Sequence, residues 1–581
     1  MLITLFRVFA LALCFCGYFL MLRKAGLPMA FAPIVTVSAI GSILFLGGIL
    51  NLLPHATVVL FLGGLYCLFR CRTLRPSKTD ILQLLGFWIL AALFCLRIAG
   101  RYPLHYDAFS HWMTVIHDTL NNDRFPNFAS ELIAFQGYPT GGAGFAYFIC
   151  KIIGLRSDDV ILMTQALPIA AGLYVFAAFP KRFDLYATLL ILFGGLYCIV
   201  SSPTENLSLC EPLPDTLLSM LSIAGLAVIV HFRKEPLKAL WWSLPMQIFL
   251  VAVKNSGVFM LVFNSLLLCW YFRQADPAHS LKVCLKPLLF HCGIPFGVFF
   301  LWDRHVELVF QYGTLTKHSL SLDYYRGTLG AKSLQQVLDT LLLYLKRFFS
   351  PNPSWLLLVL CLLLFGGIYL YRTKVLQRSA KDVPPVFCGL VAAYAVYMIG
   401  LAAMYVLSMT VVESAYLAGY DRYEETVVIY LIGAIVIYLL ETADALPNTL
   451  VKTACAAVLG IILLTQTARL PLLIQDTQTY EGSSRQLLEQ AKEAYGIEDG
   501  ASCLIYGEPV AGDVGYHAGL GRYVFWSARI ETCEPEGDNF ARLAEQCEYL
   551  ILLTSDEFTD RFLTENGLTP GEAVYRLQSA E

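Results

Sequence analysis

The sequence predicts an α-helical polytopic membrane protein with a small C-terminal α/β soluble domain, and three observations carry that reading. The 581 residues are 57% hydrophobic and only 15% charged, where a soluble domain carries roughly 25% charged residues. Apolar runs of about twenty residues recur, each long enough to span a ~30 Å hydrocarbon core as a helix. From Gln475 onward the chain changes character, becoming charged and polar with short β-like runs.

Spans are expected near 2–22, 29–50, 52–69, 80–99, 158–179, 184–201, 213–232, 239–253, 256–272, 285–302, 353–371, 384–407, 425–440 and 449–468. That makes about 12–14 crossings, the two beside Lys254 being short for the ~20 residues a span needs. A β-barrel would show short alternating segments instead. Met1 to Leu22 lacks a basic leader and a small-residue cleavage site, and Arg23-Lys24 follow it. It reads as a retained first span.

Basic clusters stay cytoplasmic. Here they are Arg70 to Lys78, Lys181-Arg182, Arg233 to Lys238, Arg273 to Lys286 and Arg372 to Lys381. All five share one side only if 100–157 makes no net crossing. The apolar stretch Gly141 to Gly154 is too short for an ordinary span and is assigned to the interface. The expected organisation is therefore a multi-spanning domain, 1–474, with a large external loop, 100–157, and an external soluble domain, 475–581. Loops 202–212, 303–352 and 408–424 fall on the same side. In the soluble part, Cys503 to Tyr506 and Tyr549 to Leu553 read as strands, with helical patterns at 483–495, 538–547 and 556–565. Strands alternating with helices indicate an α/β unit. It carries no phosphate-binding glycine fingerprint and is assigned no cofactor.

Most of the 17 cysteines lie in apolar runs, where they act as small hydrophobes. No CxxC pair occurs, so no structural zinc is expected. Cys503, Cys533 and Cys547 sit in polar sequence, compatible with one disulfide or with three free thiols. The net charge of −3 and the lack of a basic tail give no nucleic-acid signature.

Charged groups in or beside spans are costly and mark candidate sites. Four clusters stand out on the external side. In His105-Tyr106-Asp107-Ala108-Phe109-Ser110-His111-Trp112, directly after a span, Asp107 and His111 are four residues apart and share a face if helical. A partly desolvated carboxylate beside an imidazole has the chemistry of a general base; the alternative is a helix cap with an aromatic anchor. In Lys254-Asn255-Ser256-Gly257, the lysine either snorkels to the headgroups or holds a phosphate, with Asn255 and Ser256 donating. Lys317-His318-Ser319 lies in loop 303–352 and reads as solvated when taken alone. In Tyr420-Asp421-Arg422-Tyr423, Arg422 either pairs with Asp421 or, flanked by tyrosines, clamps a phosphate. Glu211 and Asp215 add a second acidic site. Convergence tips the balance: a carboxylate to take a proton and cations to stabilise a leaving phosphate are what activation of a hydroxyl beside a lipid-borne phosphate requires.

With these residues in view, the sequence resembles the bacterial branch of the GT-C superfamily of membrane glycosyltransferases, which use sugars carried on a polyprenyl phosphate. The segment His105 to Trp112 is similar to the family's acidic residue in the first long external loop. Tyr138-Pro139-Thr140-Gly141 is similar to the Tyr-Pro-Pro-Gly that opens an interfacial helix in many members, with Thr140 in place of the second proline. The Lys254 to Gly257, Lys317 to Ser319 and Leu407 to Met409 segments, and Asp421-Arg422-Tyr423, resemble further family segments. The resemblance covers roughly 80–440. It implies a GT-C-like fold, Asp107 as general base, His111 orienting Asp107 or binding a hydroxyl, and inversion at the anomeric carbon. It also implies Lys254, Asn255, Arg422 and Tyr423, with Asp215, Asp421, Lys317 and His318, around the donor phosphate. Some relatives use a divalent metal; with no second clear carboxylate near Asp107, none is expected here. The partners implied are a lipid-linked sugar donor and a cell-envelope acceptor at the cell membrane. A polysaccharide polymerase or ligase, a transporter or flippase, and a membrane anchor for the tail are the rival readings.

Overall fold

The computed structural model describes residues 2–577, apart from 203, 205, 277, 279, 311–321, 351–352, 511–514, 536 and 538. Among the described residues, twelve helices are long and apolar enough to cross a membrane: Leu2–Lys24, Met29–Ile49, Leu53–Arg70, Lys78–Ile98, Asp158–Ala178, Pro214–His231, Pro236–Val253, Gly257–Ala275, Lys282–Val309, Ser354–Val375, Val383–Leu407 and Tyr420–Glu441. Two shorter apolar helices, Leu185–Val200 and Thr449–Leu464, complete the expected set. The chain is a multi-pass membrane protein.

The most deeply packed helices are Met29–Ile49, Asp158–Ala178, Pro214–His231 and Tyr420–Glu441, whereas Leu53–Arg70 and Val383–Leu407 present most of their apolar surface outward. Lipid offers no hydrophobic force between helices, so close approach of small residues holds them together. The first and third spans pack this way: a Cβ on Gly17 would stand 2.0 Å from the Gly64 carbonyl oxygen. At the turn into the fourth span, Ser77 and Asp80 form a capping box and Arg23 Nε donates to Asp80 at 2.8 Å.

Three stretches differ from the sequence expectation. The span that begins at Lys282 runs on to Val309, and the expected loop 303–352 contains the helices Leu322–Gly330 and Leu334–Phe349. On the second of these Leu334, Leu338, Leu342, Leu345 and Phe349 are exposed along one stripe, the pattern of a helix lying in the membrane interface. Its Gln, Asp, Lys and Arg keep its mean hydropathy below that of a span, while its apolar residues recur at helical spacing. Second, the span expected from 425 begins at Tyr420, following Gly419 at φ +70, so Arg422 and Tyr423 sit on its first turn. Third, Gly141–Ile153 is helical but buried, packed on Phe15 of the first span through Phe148 rather than lying open to lipid.

The tail forms a four-stranded sheet of β1 (Cys503–Tyr506), β2 (Ile530–Cys533), β3 (Tyr549–Leu552) and β4 (Val574–Arg576), in the order β2-β1-β3-β4. β1 pairs in parallel with β2 and β3, and β4 runs antiparallel to β3. β2, with exposed Glu531, β4 and the helix Tyr516–Val524 escaped sequence reading because they are short and half polar. Cys503, Cys533 and Cys547 are buried free thiols.

The tail is fixed to the end of the bundle that carries Asp107. Arg97 and Arg101 of the fourth span's end both pair with buried Asp476. Arg485 Nη1 donates to the Pro103 carbonyl at 2.9 Å and Tyr516 Oη donates to the Leu104 carbonyl at 3.0 Å. Phe109 inserts into the tail's core with Leu488, Leu520 and Phe525.

Candidate active site

The segment that carries Asp107 is held from both sides. Glu211, buried in the loop before the helix Pro214–His231, accepts the backbone N–H groups of Leu104 and His105 at 3.3 and 3.4 Å. From the other side come the contacts of Arg485, Tyr516 and the tail's core. Asp107 then opens a single π-helical turn, Ala108–Trp112, a feature frequent at functional sites.

Four charged side chains from four distant segments meet here. Arg422 Nη1 lies 2.6 Å from Asp107 Oδ2, and its Nε lies 3.6 Å from Asp215 Oδ2. Lys254 Nζ lies 2.6 Å from Asp215 Oδ1, both side chains being almost fully buried. Lys254 and Arg422 both stand over the Tyr423 ring, at 5.1 and 5.5 Å from its centroid. Two acids and two bases thus neutralise one another. Burial raises the Asp107 carboxyl, but Arg422, His105 and Lys254 outweigh it and hold it down at about 2. The group is ionised.

The cluster leaves hydrogen-bonding capacity unmet. The 3.6 Å approach of Arg422 to Asp215 is an ion pair but too long for a hydrogen bond, and both Arg422 Nε and Asp215 Oδ2 are buried with no hydrogen-bond partner among the described residues. The same holds for Asn255 Oδ1 and for both ring nitrogens of His111. Buried polar atoms are rarely left so; oxygens of a ligand would meet them.

The structure gathers Asp107, Asp215, Lys254, Arg422 and Tyr423, and Asn255 follows Lys254. Other expectations need correction. Lys254 does not snorkel, because Asp215 holds it inside. Asp421 does not pair with Arg422; adjacent helix residues point about 100° apart, and Asp421 instead takes Arg347 at 2.7 and 2.8 Å on the exposed side. His111 does not bond Asp107. Its ring packs against Trp112, Phe135 and Tyr138, and burial, partly opposed by Asp107, lowers it to about 3, so it is neutral. The imidazole that does touch this residue is His105, whose Nδ1 accepts the Asp107 N–H at 3.1 Å. Lys317 and His318 lie outside the described residues.

Tyr138, read from the sequence only as part of an interfacial helix start, stacks on Trp112 with centroids 5.4 Å apart; sequence reasoning missed Tyr397, buried within electrostatic reach of Asp215 and Tyr423. It also missed the Asp158 node, where Arg485, His117 and Tyr523 all converge. A carboxylate opening a span, as Asp158 does, was the available signal. Polar groups outside these clusters pair with one another. Asn264 donates to the Ser222 carbonyl at 3.1 Å and accepts from Tyr430 at 3.0 Å, and His291 sits between the Ser243 and Ser265 hydroxyls at 2.8 Å each. These pairs lie inside the bundle.

An apolar cavity of about 220 Å³ opens among Trp355, Leu390, Tyr394, Val428 and Leu431. Tyr394 donates to Glu424 at 2.6 Å, which stands about 200° around the helix from Arg422, so the cavity flanks the side of that helix away from Arg422.

No family model and no curated protein matches the chain. Among solved structures it is similar to ArnT from Cupriavidus metallidurans bound to undecaprenyl phosphate. The likeness has 12% sequence identity, 86% of this chain and 97% of that one covered, and a TM-score of 0.36. The same protein in the apo state gives 12%, 84%, 95% and 0.34. So distant a likeness assigns no activity, and the function must be read from the chain's own residues.

Proposed function

We propose that the protein is a glycosyltransferase that moves a sugar from a polyprenyl phosphate to a hydroxyl acceptor on the outer face of the cytoplasmic membrane. One observation carries the reading. A self-neutralised set of two carboxylates and two cations, with buried, unmet hydrogen-bonding atoms at its centre, sits at one end of a membrane bundle.

In this mechanism the phosphate of the donor enters between Arg422 and Lys254. Its negative charge draws Arg422 from Asp107. The freed carboxylate loses the partner that held its proton affinity down and becomes a competent base. The acceptor O–H gives its proton to Asp107 while its oxygen bonds to the anomeric carbon. The bond from that carbon to the phosphate oxygen breaks, and Arg422 and Lys254 stabilise the charge left on the polyprenyl phosphate. Direct displacement inverts the anomeric centre. His111, with both ring nitrogens unmet, orients the acceptor hydroxyl. Cations neutralise both carboxylates in the resting site, so the proposal includes no metal.

The test is transfer from a panel of polyprenyl-phosphate sugars in reconstituted membranes. Asp107→Asn is expected to lower the rate about 10²- to 10⁴-fold, the usual worth of a general base; undiminished transfer overturns the mechanism. The polar pairs inside the bundle favour a second reading, a transporter, because transporters bind near the midplane. Solute movement in proteoliposomes without covalent transfer would establish it. Helix-to-helix adhesion explains the same pairs.

A further inference from the structure

The seam between the tail and the outer face of the bundle holds two cavities that the transfer chemistry does not use. The larger, about 660 Å³, is walled by His117 and Asp158 on one side and by Glu489, Lys492, Tyr523 and Trp526 on the other. The smaller, about 230 Å³, is bounded by Tyr106, Thr114, Glu131, Arg522 and the same Tyr523. Thr114 and His117 lie three residues apart on one helix and share a face, so the two cavities are neighbours along one track. That track ends at Tyr106, which precedes Asp107.

The lining limits what fits. The larger cavity is lined by Asp158, Glu489 and Glu493 together with Arg485 and Lys492; the smaller is lined by both Glu131 and Arg522. Charges of both signs line each cavity, which disfavours a polyanion or a polycation. Charged and polar side chains share both linings with apolar ones, which disfavours an acyl chain. Aromatic faces interleaved with hydrogen-bonding side chains suit a neutral polyhydroxylated chain, and the volume falls within the roughly 300–1,000 Å³ of small-molecule sites.

Trp526 adds an independent sign. It has φ +45 and follows the helix Tyr516–Val524, closed by the bond from Ser527 N–H to the Arg522 carbonyl at 3.2 Å. That position is the left-handed end of a helix, where glycine is the usual residue. A bulky residue there is strained, and strain of this kind clusters at ligand clamps. What Trp supplies that Gly does not is an indole on the cavity wall, its ring centroid 6.3 Å from that of His117.

We propose that this seam is a groove for an extended neutral oligosaccharide. Its role as acceptor, with one end at Asp107, rests on the sugar-transfer reading; its binding does not.

The experiment uses the full chain in nanodiscs without donor, titrated separately with maltohexaose, cellohexaose and chitohexaose. Binding is followed by tryptophan fluorescence and by hydrogen exchange over 489–497 and 523–527. At least one probe is expected to bind and to slow exchange in both segments. Trp526→Gly is expected to weaken that binding at least tenfold while the thermal midpoint stays equal or rises, since glycine relieves the backbone. Absence of protection in the wild-type protein by all three probes overturns the groove, whatever the variant does. So does wild-type affinity in Trp526→Gly, or binding of a sulfated hexasaccharide in place of the neutral ones. Asp107→Asn should bind the probe as the wild type does. If that variant also keeps its transfer activity, the transfer reading fails and the groove stands.

Discussion

One carboxylate joins the two cations of the site: Asp215 Oδ1 lies 2.6 Å from Lys254 Nζ, and its Oδ2 lies 3.6 Å from Arg422 Nε. Asp215 therefore sets the spacing of the groups proposed to receive a phosphate, without itself facing Asp107.

Breaking that pair from one side leaves a buried charge alone. Asp215→Asn or Lys254→Met is each expected to destabilise the protein by about 3–5 kcal/mol, and the double substitution by less than the sum. Thermal inactivation of the four proteins in detergent measures the coupling; additive losses would mean that the pair is not formed.

The Asp107–Arg422 pair gives a pH signature. The carboxyl is lowered from 3.8 to about 2. A group lowered on folding stabilises the protein above its unfolded value, and that stability is lost as pH falls through the folded one. The contribution is on the order of 2 kcal/mol. With Arg422→Gln, burial is less opposed and the carboxyl rises, so the acid-unfolding midpoint should move up by roughly one pH unit. In the Asp107→Asn background the same substitution should not move it.

Glu211 is a positioning residue. Replacing it by Ala removes the acceptor of the Leu104 and His105 amides, and buried donors left unmet cost about 1–3 kcal/mol. Amide exchange at Leu104 and His105 should accelerate, while exchange in the tail strands is unchanged. Unaltered exchange at these two amides would remove Glu211 from this role.

The tail is pinned through Asp158, which takes Arg485, His117 and Tyr523 together. Arg485→Met should expose 474–483 to protease while leaving the sheet intact, with a loss of about 3–5 kcal/mol for the stranded carboxylate. Resistance equal to the wild type would show that Phe109 and Asp476 hold the tail unaided.

In the tail sheet, burial pushes the Cys503 thiol up to about 12 and the Cys547 thiol to about 11, and it raises Cys533 as well. A membrane-impermeant maleimide at neutral pH should label none of them before unfolding and all three afterwards. Incomplete labelling after unfolding without reductant would indicate a disulfide.

The spans, their order and the change of character at Gln475 were legible in the sequence. Hydropathy is a local property, and twenty consecutive apolar residues commit a segment to the bilayer whatever else the chain does. The charged residues that lie beside spans were legible for the same reason, since their cost is local too. What each of them touches was not. Asp107 and Arg422 are 315 residues apart, and their contact exists because packing of the helices between them brings two span ends together. Tertiary structure alone sent Asp421 outward and Arg422 inward, and it left His111 without a hydrogen bond to the carboxylate four residues before it. It also drew Asp158 and Arg485 into one node. Such pairings are set by the angle and depth at which helices cross, which depend on all contacting side chains at once and leave no periodic trace in the chain.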